Sequence, residues 1–137
     1  MDWSFNNDTP IYSQLVDKIK LSIVSGQLPP GEKLSTVRDL ASEAKVNPNT
    51  MQRAFQELER EGLVFSQRGN GRFVTEDMEV IMEAKRAMAQ EYIRSFIENM
   101  ERLGYKGEEI ISWEQTSASV YISTEEPEHL SAAKEVR

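Results

Sequence analysis

The chain has 137 residues, a formal net charge of −7 at pH 7 and no cysteine, which excludes disulfides and thiolate metal sites. This length fits either one domain with a hydrophobic core or a small domain with an appendage. Neither a basic-then-apolar leader nor an apolar run approaching the roughly 18 residues of a membrane span is present, so the sequence predicts a cytoplasmic protein with no membrane partner.

The negative charge lies in the second half of the sequence. Residues 1–75 hold nine Lys/Arg and nine Asp/Glu, whereas residues 76–137 hold seven and fourteen. The first half is therefore neutral rather than basic. If it binds nucleic acid, its phosphate contacts must come from local clusters, and we expect a modest affinity per monomer with a steep salt dependence.

An amphipathic helix is predicted near the N-terminus. Thr9 and Pro10 resemble a side-chain cap followed by proline, and the helical pattern ends at Gly26. The apolar residues at helical spacing are Ile11, Leu15, Val16, Ile19 and Ile23. Upstream of this helix, Trp3 and Phe5 are expected to pack on a core or on a partner subunit.

A second helix follows after a turn and a short extended piece. The sequence LPPG at residues 28–31 predicts a rigid turn, and residues 32–34 form an extended piece that could pair with a later strand. Thr36 and Asp39 then have the spacing of a capping box, in which the hydroxyl and the carboxylate satisfy free backbone amides. This pattern predicts a helix start at Thr36.

The third predicted helix presents polar side chains outward. After a break at residues 45–46, Asn47 supplies a side-chain cap and Pro48 the first helical residue. The apolar stripe is Met51, Ala54, Phe55 and Leu58, which leaves on the outer faces Asn47, Asn49, Thr50, Gln52, Arg53 and Gln56. Two short helices joined in this way form a helix-turn-helix, whose second helix contacts base edges. A solvated helix face is the alternative interpretation of these residues alone.

Directly after the helix pair, two β-prone runs with a turn between them predict a hairpin. The two runs are residues 63–66 and 72–75, and the turn between them is residues 67–71. Gly69 and Gly71 permit positive φ and a close approach of the backbone to another chain. A helix-turn-helix followed by a hairpin is a winged helix. Arg68 at the tip and Arg72 beside it suit phosphate or minor-groove contacts, although an ordinary exposed hairpin is the alternative.

From Pro10 to Val74 the sequence resembles the winged-helix DNA-binding domain of the GntR family of bacterial transcriptional regulators. The strongest matching segments are SGQLPPG at 25–31, LSTVRDLA at 34–41, FQELEREGL at 55–63 and the glycines at 69 and 71. The resemblance implies an α+β, mostly helical fold. Residues 1–76 would form an N-terminal winged helix-turn-helix domain that binds a double-stranded DNA operator.

In that family the capping-helix arginine, the first residues of the recognition helix and the wing tip touch the operator. By position, the resemblance implies contacts from Arg38, Asn47, Pro48, Asn49, Thr50, Gln52, Arg68 and Gly69, and local chemistry adds Arg53 and Arg72. Many relatives carry arginine where this chain has Pro48 and Gln52. Amides favour adenine over guanine, so this departure indicates half-sites that contain A·T pairs. For Arg53, an ion pair with Glu57 four residues on is the alternative to a DNA contact.

Residues 77–115 are predicted to form a helical dimerisation or effector region. A broad apolar band at helical spacing runs from Met78 to Leu103, and residues 105–113 supply a second amphipathic helix. The band is too apolar to stand alone, so it is expected to pack against a second subunit or partly on the winged domain. The predicted dimer contacts are Ile81, Met88, Tyr92, Phe96, Met100 and Leu103. A methionine-rich ligand surface is the alternative.

This short helical tail resembles that of the YtrA-like subgroup of the GntR family. The resemblance implies a two-helix C-terminal dimerisation tail and a repressor, often of a transporter operon near its own gene. Residues 116–137 are predicted to be a partly ordered acidic tail. Its His129 is the only histidine in the chain, so no metal and no cofactor are expected. No set of nucleophile, base and orienting group is present, so the sequence predicts neither catalytic residues nor an enzyme.

These features predict a homodimeric, sequence-specific repressor that binds an inverted-repeat operator. The resemblance alone implies a transporter-linked operon of its own as a candidate target. The alternative is a small-molecule-responsive regulator with its ligand site at the dimer interface. The sequence does not identify the effector of such a regulator.

Overall fold

The computed structural model describes residues 1–110, and the predicted acidic tail at 116–137 lies outside this range. The helices and strands are, in order, α1 Ile11–Val24, α2 Val37–Ala44, α3 Pro48–Arg60, β1 Val64–Gln67, β2 Gly71–Val74 and α4 Met78–Arg102. Residues 107–110 are also helical, at the place predicted for the second tail helix. The prediction of a mostly helical chain with a two-stranded wing is confirmed.

Helix α1 begins without the predicted hydroxyl cap. Its N-cap residue is Pro10, and no side chain caps the first turn. The side chain of Gln14 bends back instead, because its Nε2 donates to the carbonyl oxygens of Asn6 at 2.9 Å and Thr9 at 2.8 Å. The predicted Thr9 cap was wrong, since the backbone carbonyl of Thr9 and not its hydroxyl takes part in the local hydrogen bonding.

The hydrophobic core lies between α1, α2, α3 and the base of the wing. The stripe predicted for α3 is fully buried, since Met51, Ala54, Phe55 and Leu58 are each at most 1% exposed. Trp3 and Phe5 pack against this cluster, in agreement with the predicted alternative that they pack on a core. Complete burial of a large apolar side chain contributes about 1.5–3 kcal/mol, so these residues fix the position of α3 in the domain.

Side chains cap α2 and α3 at the predicted residues. Thr36 Oγ1 accepts the backbone N–H of Asp39 at 3.1 Å, and Asn47 Oδ1 accepts that of Asn49 at 2.7 Å. Pro48 occupies the first turn of α3, where its missing N–H costs nothing. Both predicted helix starts are therefore confirmed.

The turn between α2 and α3 closes through a left-handed residue. Lys45 has φ +59° and ψ +46°, and the N–H of Val46 donates to the carbonyl oxygen of Ala41 at 2.9 Å. This is the bond that ends many helices at a left-handed residue, usually glycine. A lysine there costs about 1–2 kcal/mol of backbone energy, and the packing of Val46 against the core holds the turn in place.

The wing is a two-stranded antiparallel hairpin, and the segment at residues 32–34 pairs with its second strand. Phe65 of β1 lies opposite Phe73 of β2, and their rings stack with centroids 5.7 Å apart. On the other side of β2, Lys33 forms a bridge with Phe73. Two backbone hydrogen bonds flank this bridge, from Leu34 N to Arg72 O and from Val74 N to Glu32 O, both 2.9 Å. The predicted pairing of residues 32–34 with the wing is confirmed.

Helix α4 begins at an aspartate cap, since Asp77 Oδ1 accepts the N–H of Glu79 at 3.0 Å. The chain divides into two compact units, Met1–Ala89 and Gln90–Arg137, and the division falls within α4. In the first unit Ile81 is 4% exposed and belongs to the core cluster. Among residues 1–110, no helix combines the length and the apolar character that a membrane span requires.

Candidate nucleic-acid interface

The predicted DNA contacts on α3 lie on its outward face. The helix buries its apolar stripe in the core, so the remaining residues of its first two turns are turned to the surface. Those that are exposed are Asn47, Pro48, Asn49 and Arg53, and those that are half-buried are Thr50 and Gln52. None of these predicted contact residues is therefore buried in the core.

Arg53 is held by an aromatic ring from another helix. The carbon at the centre of its guanidinium group lies 3.9 Å from the centroid of the Tyr12 ring on α1. Glu57, the alternative partner, instead accepts hydrogen bonds from Arg60. Stacking orients the guanidinium plane and leaves its N–H edge able to donate to a phosphate or a base. The predicted alternative of an Arg53–Glu57 ion pair is wrong.

The wing presents Arg68 at its tip. The N–H of Asn70 donates to the carbonyl oxygen of Gln67 at 2.8 Å, which closes a four-residue turn around Arg68 and Gly69. Gly69 has φ +81°, as the third position of a type II turn requires. Both central residues are exposed, and a Cβ built on Gly69 would meet no atom within 4 Å. The tip is thus open to a large partner.

Arg72 is turned away from the tip, toward α3. Its Nε donates to Oε1 of Glu59 at 2.6 Å, and its guanidinium lies 5.5 Å from the centroid of the Phe55 ring. The same Glu59 oxygen accepts the hydroxyl of Ser66 at 2.7 Å, so both wing strands are attached to α3. Arg72 was predicted to contact DNA, but the structure commits its charge to an ion pair within the domain.

Ion pairs neutralise some basic residues of the winged domain and leave others uncompensated. Three of them are neutralised by neighbouring glutamates, in the pairs Lys20–Glu61, Arg60–Glu57 and Arg72–Glu59. Arg38 on α2, Arg53 on α3 and Arg68 on the wing are exposed and take part in no ion pair within residues 1–110. A neutral domain therefore keeps uncompensated positive charge on the elements that carry the predicted contacts.

The predicted dimer contacts differ widely in exposure. Ile81 is buried in the core of its own unit and has no surface to offer a second subunit. Tyr92, Phe96 and Leu103 are 59%, 40% and 73% exposed, whereas Met88 and Met100 are half-buried. The exposed part of the predicted set therefore lies in the second unit.

A groove of about 530 Å³ lies in the first unit beside the start of α4. Apolar residues line it together with four carboxylates, Glu61, Asp77, Glu79 and Glu83. These carboxylates repel phosphate groups, so the groove is not part of the nucleic-acid surface.

Sequence reasoning missed two residues that support the site. Tyr12 lies 41 positions before Arg53, and no local pattern pairs them. Glu59 was treated as part of a matching segment, although its partners Ser66 and Arg72 lie on the two strands of the predicted hairpin. An acidic residue near the end of a recognition helix, followed by an arginine at the base of the wing, is a signal that could have revealed the contact.

Comparison with known proteins agrees with this geometry. Residues 11–74 match the family model of the bacterial regulatory proteins of the gntR family. YhcF, an HTH-type transcriptional regulator of Bacillus subtilis (strain 168), is 41% identical over 111 residues, which cover 81% of this chain and 92% of YhcF. The transcriptional repressor YtrA of the same organism is 35% identical over 116 residues, which cover 83% of this chain and 89% of YtrA.

Solved structures give the same result. A GntR family transcriptional regulator from Listeria monocytogenes superposes with a TM-score of 0.74 at 39% identity, covering 82% of this chain and 98% of that one. The predicted resemblance is therefore confirmed in both sequence and fold. This chain belongs to the GntR family of bacterial regulatory proteins and is a DNA-binding regulator of transcription.

Proposed function

We propose that the protein is a homodimeric repressor that binds an inverted-repeat operator. Three exposed arginines carry the proposal, since Arg38, Arg53 and Arg68 form no ion pair within residues 1–110. They lie on the three elements of the winged domain that meet DNA in a winged helix. The other proposed contacts are Asn47, Pro48, Asn49, Thr50, Gln52 and Gly69. The arginines and the wing tip grip phosphates, while the amides of α3 read base edges.

Two features support dimerisation: the exposed apolar side chains of the second unit and the lack of net positive charge in the DNA-binding half of the chain. Tyr92, Ile93, Phe96 and Leu103 are each at least 40% exposed, and clustered apolar side chains on a surface mark an interface. Residues 1–75, which contain the winged domain, have no net charge, so one copy makes few phosphate contacts. Joining two copies raises the effective affinity and places two recognition helices about 10 base pairs, or a multiple, apart.

Repression is supported by relatedness. YtrA, which aligns with 83% of this chain, is named a transcriptional repressor. A dimer seated on an operator near a promoter excludes RNA polymerase by occupying the same DNA. We assign residues 1–76 to operator binding and residues 77–115 to dimerisation, and we place the activity in the cytoplasm, with a transporter-linked operon of the protein's own as the target.

The test is a salt-titrated binding curve on the DNA just upstream of the protein's own gene. A random duplex of the same length serves as the control, and size exclusion is run alongside. We expect a dimer that binds the upstream DNA far more tightly than the random duplex. The variant Asn49→Ala should lose this preference while it retains the weak binding to random DNA, because a base contact has been removed and the phosphate contacts remain.

One outcome would contradict the dimeric mechanism, and another would contradict ligand-free binding to the protein's own upstream DNA. A monomer that binds its operator with full affinity would exclude the dimeric mechanism. Equal, weak binding to both duplexes would mean that the operator lies elsewhere or that a ligand is needed. In that case the small-molecule-responsive regulator with a site at the dimer interface becomes the better hypothesis, and a thermal-shift screen of metabolites tests it.

A further inference from the structure

Lys33 extends its side chain toward the tip of the wing. Its backbone forms an isolated bridge with Phe73 of β2. Its Cε, however, lies 3.3 Å from the point that a Cβ on Gly71 would occupy. Gly71 is two residues nearer than Phe73 to the turn that carries Arg68. The side chain therefore runs along the sheet toward the wing tip, which carries Arg68.

The charge of Lys33 is not compensated. The residue is exposed and takes part in no ion pair within the described part of the chain, residues 1–110. Glu32 precedes it in an extended segment, where successive side chains point to opposite faces, so that carboxylate lies on the other side of the sheet. Arg72, by contrast, is neutralised by Glu59. The cations that the wing offers to a partner are thus Arg68 and Lys33.

We infer that Lys33 contacts a DNA phosphate beside the one gripped by Arg68. A lysine ammonium is a flexible point charge that suits phosphate but carries no sequence information. Gly71 is part of the same arrangement, because any side chain there would press on Lys33 Cε as well as oppose its φ of +101°. The assignment rests on the proposed operator binding, and it transfers to Lys33 the phosphate-binding role that sequence analysis gave to Arg72.

The experiment compares the salt dependence of binding for wild type, Lys33→Gln and Lys85→Gln. The probes are a duplex selected by the wild-type protein from a random pool and an unselected duplex of the same length. Each phosphate contact contributes about 0.9 to the slope of log affinity against log salt. We expect Lys33→Gln to reduce the slope by about 0.9 per bound subunit and to lower affinity for both duplexes by a similar factor. Lys33→Arg should restore the wild-type slope.

Lys85→Gln is the matched control, because it removes the same charge from an exposed position on α4. It should leave the slope unchanged. A wild-type slope for Lys33→Gln, in a preparation whose wild type binds the selected duplex, would overturn this inference and leave the proposed function standing. If the wild-type protein binds neither duplex in a salt-dependent way, the proposed function fails and the inference fails with it.

Discussion

Glu59 on the recognition helix and Arg72 on the wing are joined by an ion pair of 2.6 Å, and the hydroxyl of Ser66 binds the same carboxylate oxygen at 2.7 Å. One side chain of α3 therefore holds both strands of the hairpin. The side chains of Arg72 and Glu59 are 23% and 31% exposed, so the pair is partly shielded from water. Because the wing tip carries Arg68, this contact determines where that arginine lies relative to α3.

Replacing Glu59 with alanine should loosen the wing without unfolding the domain. Loss of the ion pair and of the Ser66 hydrogen bond is expected to lower the free energy of unfolding by about 1–2 kcal/mol, which urea denaturation measures. The affinity for DNA should fall as well, although Glu59 is an acidic residue whose removal would by itself favour binding to phosphate.

A double-mutant cycle on DNA binding separates positioning from a direct effect. If Glu59 acts through the wing, Arg68→Ala should cost much less affinity in the Glu59→Ala background than in wild type. Strictly additive losses would contradict the positioning role. Arg86→Ala, which breaks the exposed Arg86–Glu83 pair on α4, is the control and should change neither the stability nor the affinity measurably.

The same contact makes stability depend on pH. Burial raises the pKa of Glu59, but the hydrogen bonds from Arg72 and Ser66 lower it by more, so the pKa lies below its ordinary value of 4.5. A carboxyl whose pKa is lowered by folding stabilises the folded state. This contribution is complete above the pKa that the group has in the unfolded chain, and it is lost as the pH falls through the pKa that it has in the folded protein.

We therefore expect the free energy of unfolding to fall more steeply between about pH 5 and about pH 3 in wild type than in Glu59→Gln. Urea midpoints at several pH values provide the comparison. Asp17 affects the pH dependence of stability in the opposite direction, because burial raises its pKa. The informative quantity is therefore the difference between the pH profiles of wild type and Glu59→Gln. Parallel pH profiles would show that Glu59 is not the responsible group.

The sequence predicted the helix-turn-helix and the wing because their signals are local. Caps at Thr36 and Asn47 and the glycines of the hairpin report on residues only a few positions away. The contacts of Arg53 with Tyr12 and of Arg72 with Glu59 could not be obtained in this way, since they join elements that meet only after folding. Exposure and side-chain pairing, which decide which arginine can reach DNA, are tertiary properties.

Tyr12 should matter for DNA binding through Arg53 alone. A guanidinium over an aromatic ring gains about 0.5–1 kcal/mol at an exposed site, so Tyr12→Leu is expected to weaken binding several-fold. Tyr12→Phe keeps the ring and should bind as wild type does. In an Arg53→Ala background, Tyr12→Leu should have no further effect. If Tyr12→Leu weakens binding by the same factor in the Arg53→Ala background, Tyr12 either touches DNA itself or stabilises the fold. Thermal denaturation distinguishes these two cases.

Asn47 combines a structural and a proposed functional role that substitutions can separate. Its Oδ1 caps α3 by accepting the N–H of Asn49. Asn47→Ser keeps a capping oxygen, so stability should change by only a few tenths of a kcal/mol, whereas Asn47→Ala should cost about 1 kcal/mol. Both variants lose the amide that is proposed to read a base, and both should bind the operator less tightly. Operator binding by Asn47→Ser at the wild-type level would assign Asn47 to capping alone.

The apolar band on α4 shows what helical periodicity can and cannot predict. The pattern placed Ile81 and Phe96 in one stripe, but Ile81 is 4% exposed in the core of the first unit, whereas Phe96 is 40% exposed. Helical spacing identifies an apolar face and does not say which neighbour covers each part of it. Ile81 is covered by its own domain, so within the predicted set the exposed later residues, Tyr92, Phe96 and Leu103, remain for a second subunit.

Phe96→Asp should therefore dissociate the proposed dimer. A carboxylate at the centre of an apolar interface would be buried without a partner, a cost of several kcal/mol that outweighs a small interface. We expect a monomer in size exclusion and loss of operator binding, although the substitution lies outside the proposed DNA contacts. Ser95→Asp introduces the same charge one position away, about 100° around the helix, and should remain dimeric. Because residues 90–137 form a separate compact unit, the winged domain of Phe96→Asp should keep its melting temperature, and wild-type operator affinity in this variant would refute the dimer mechanism.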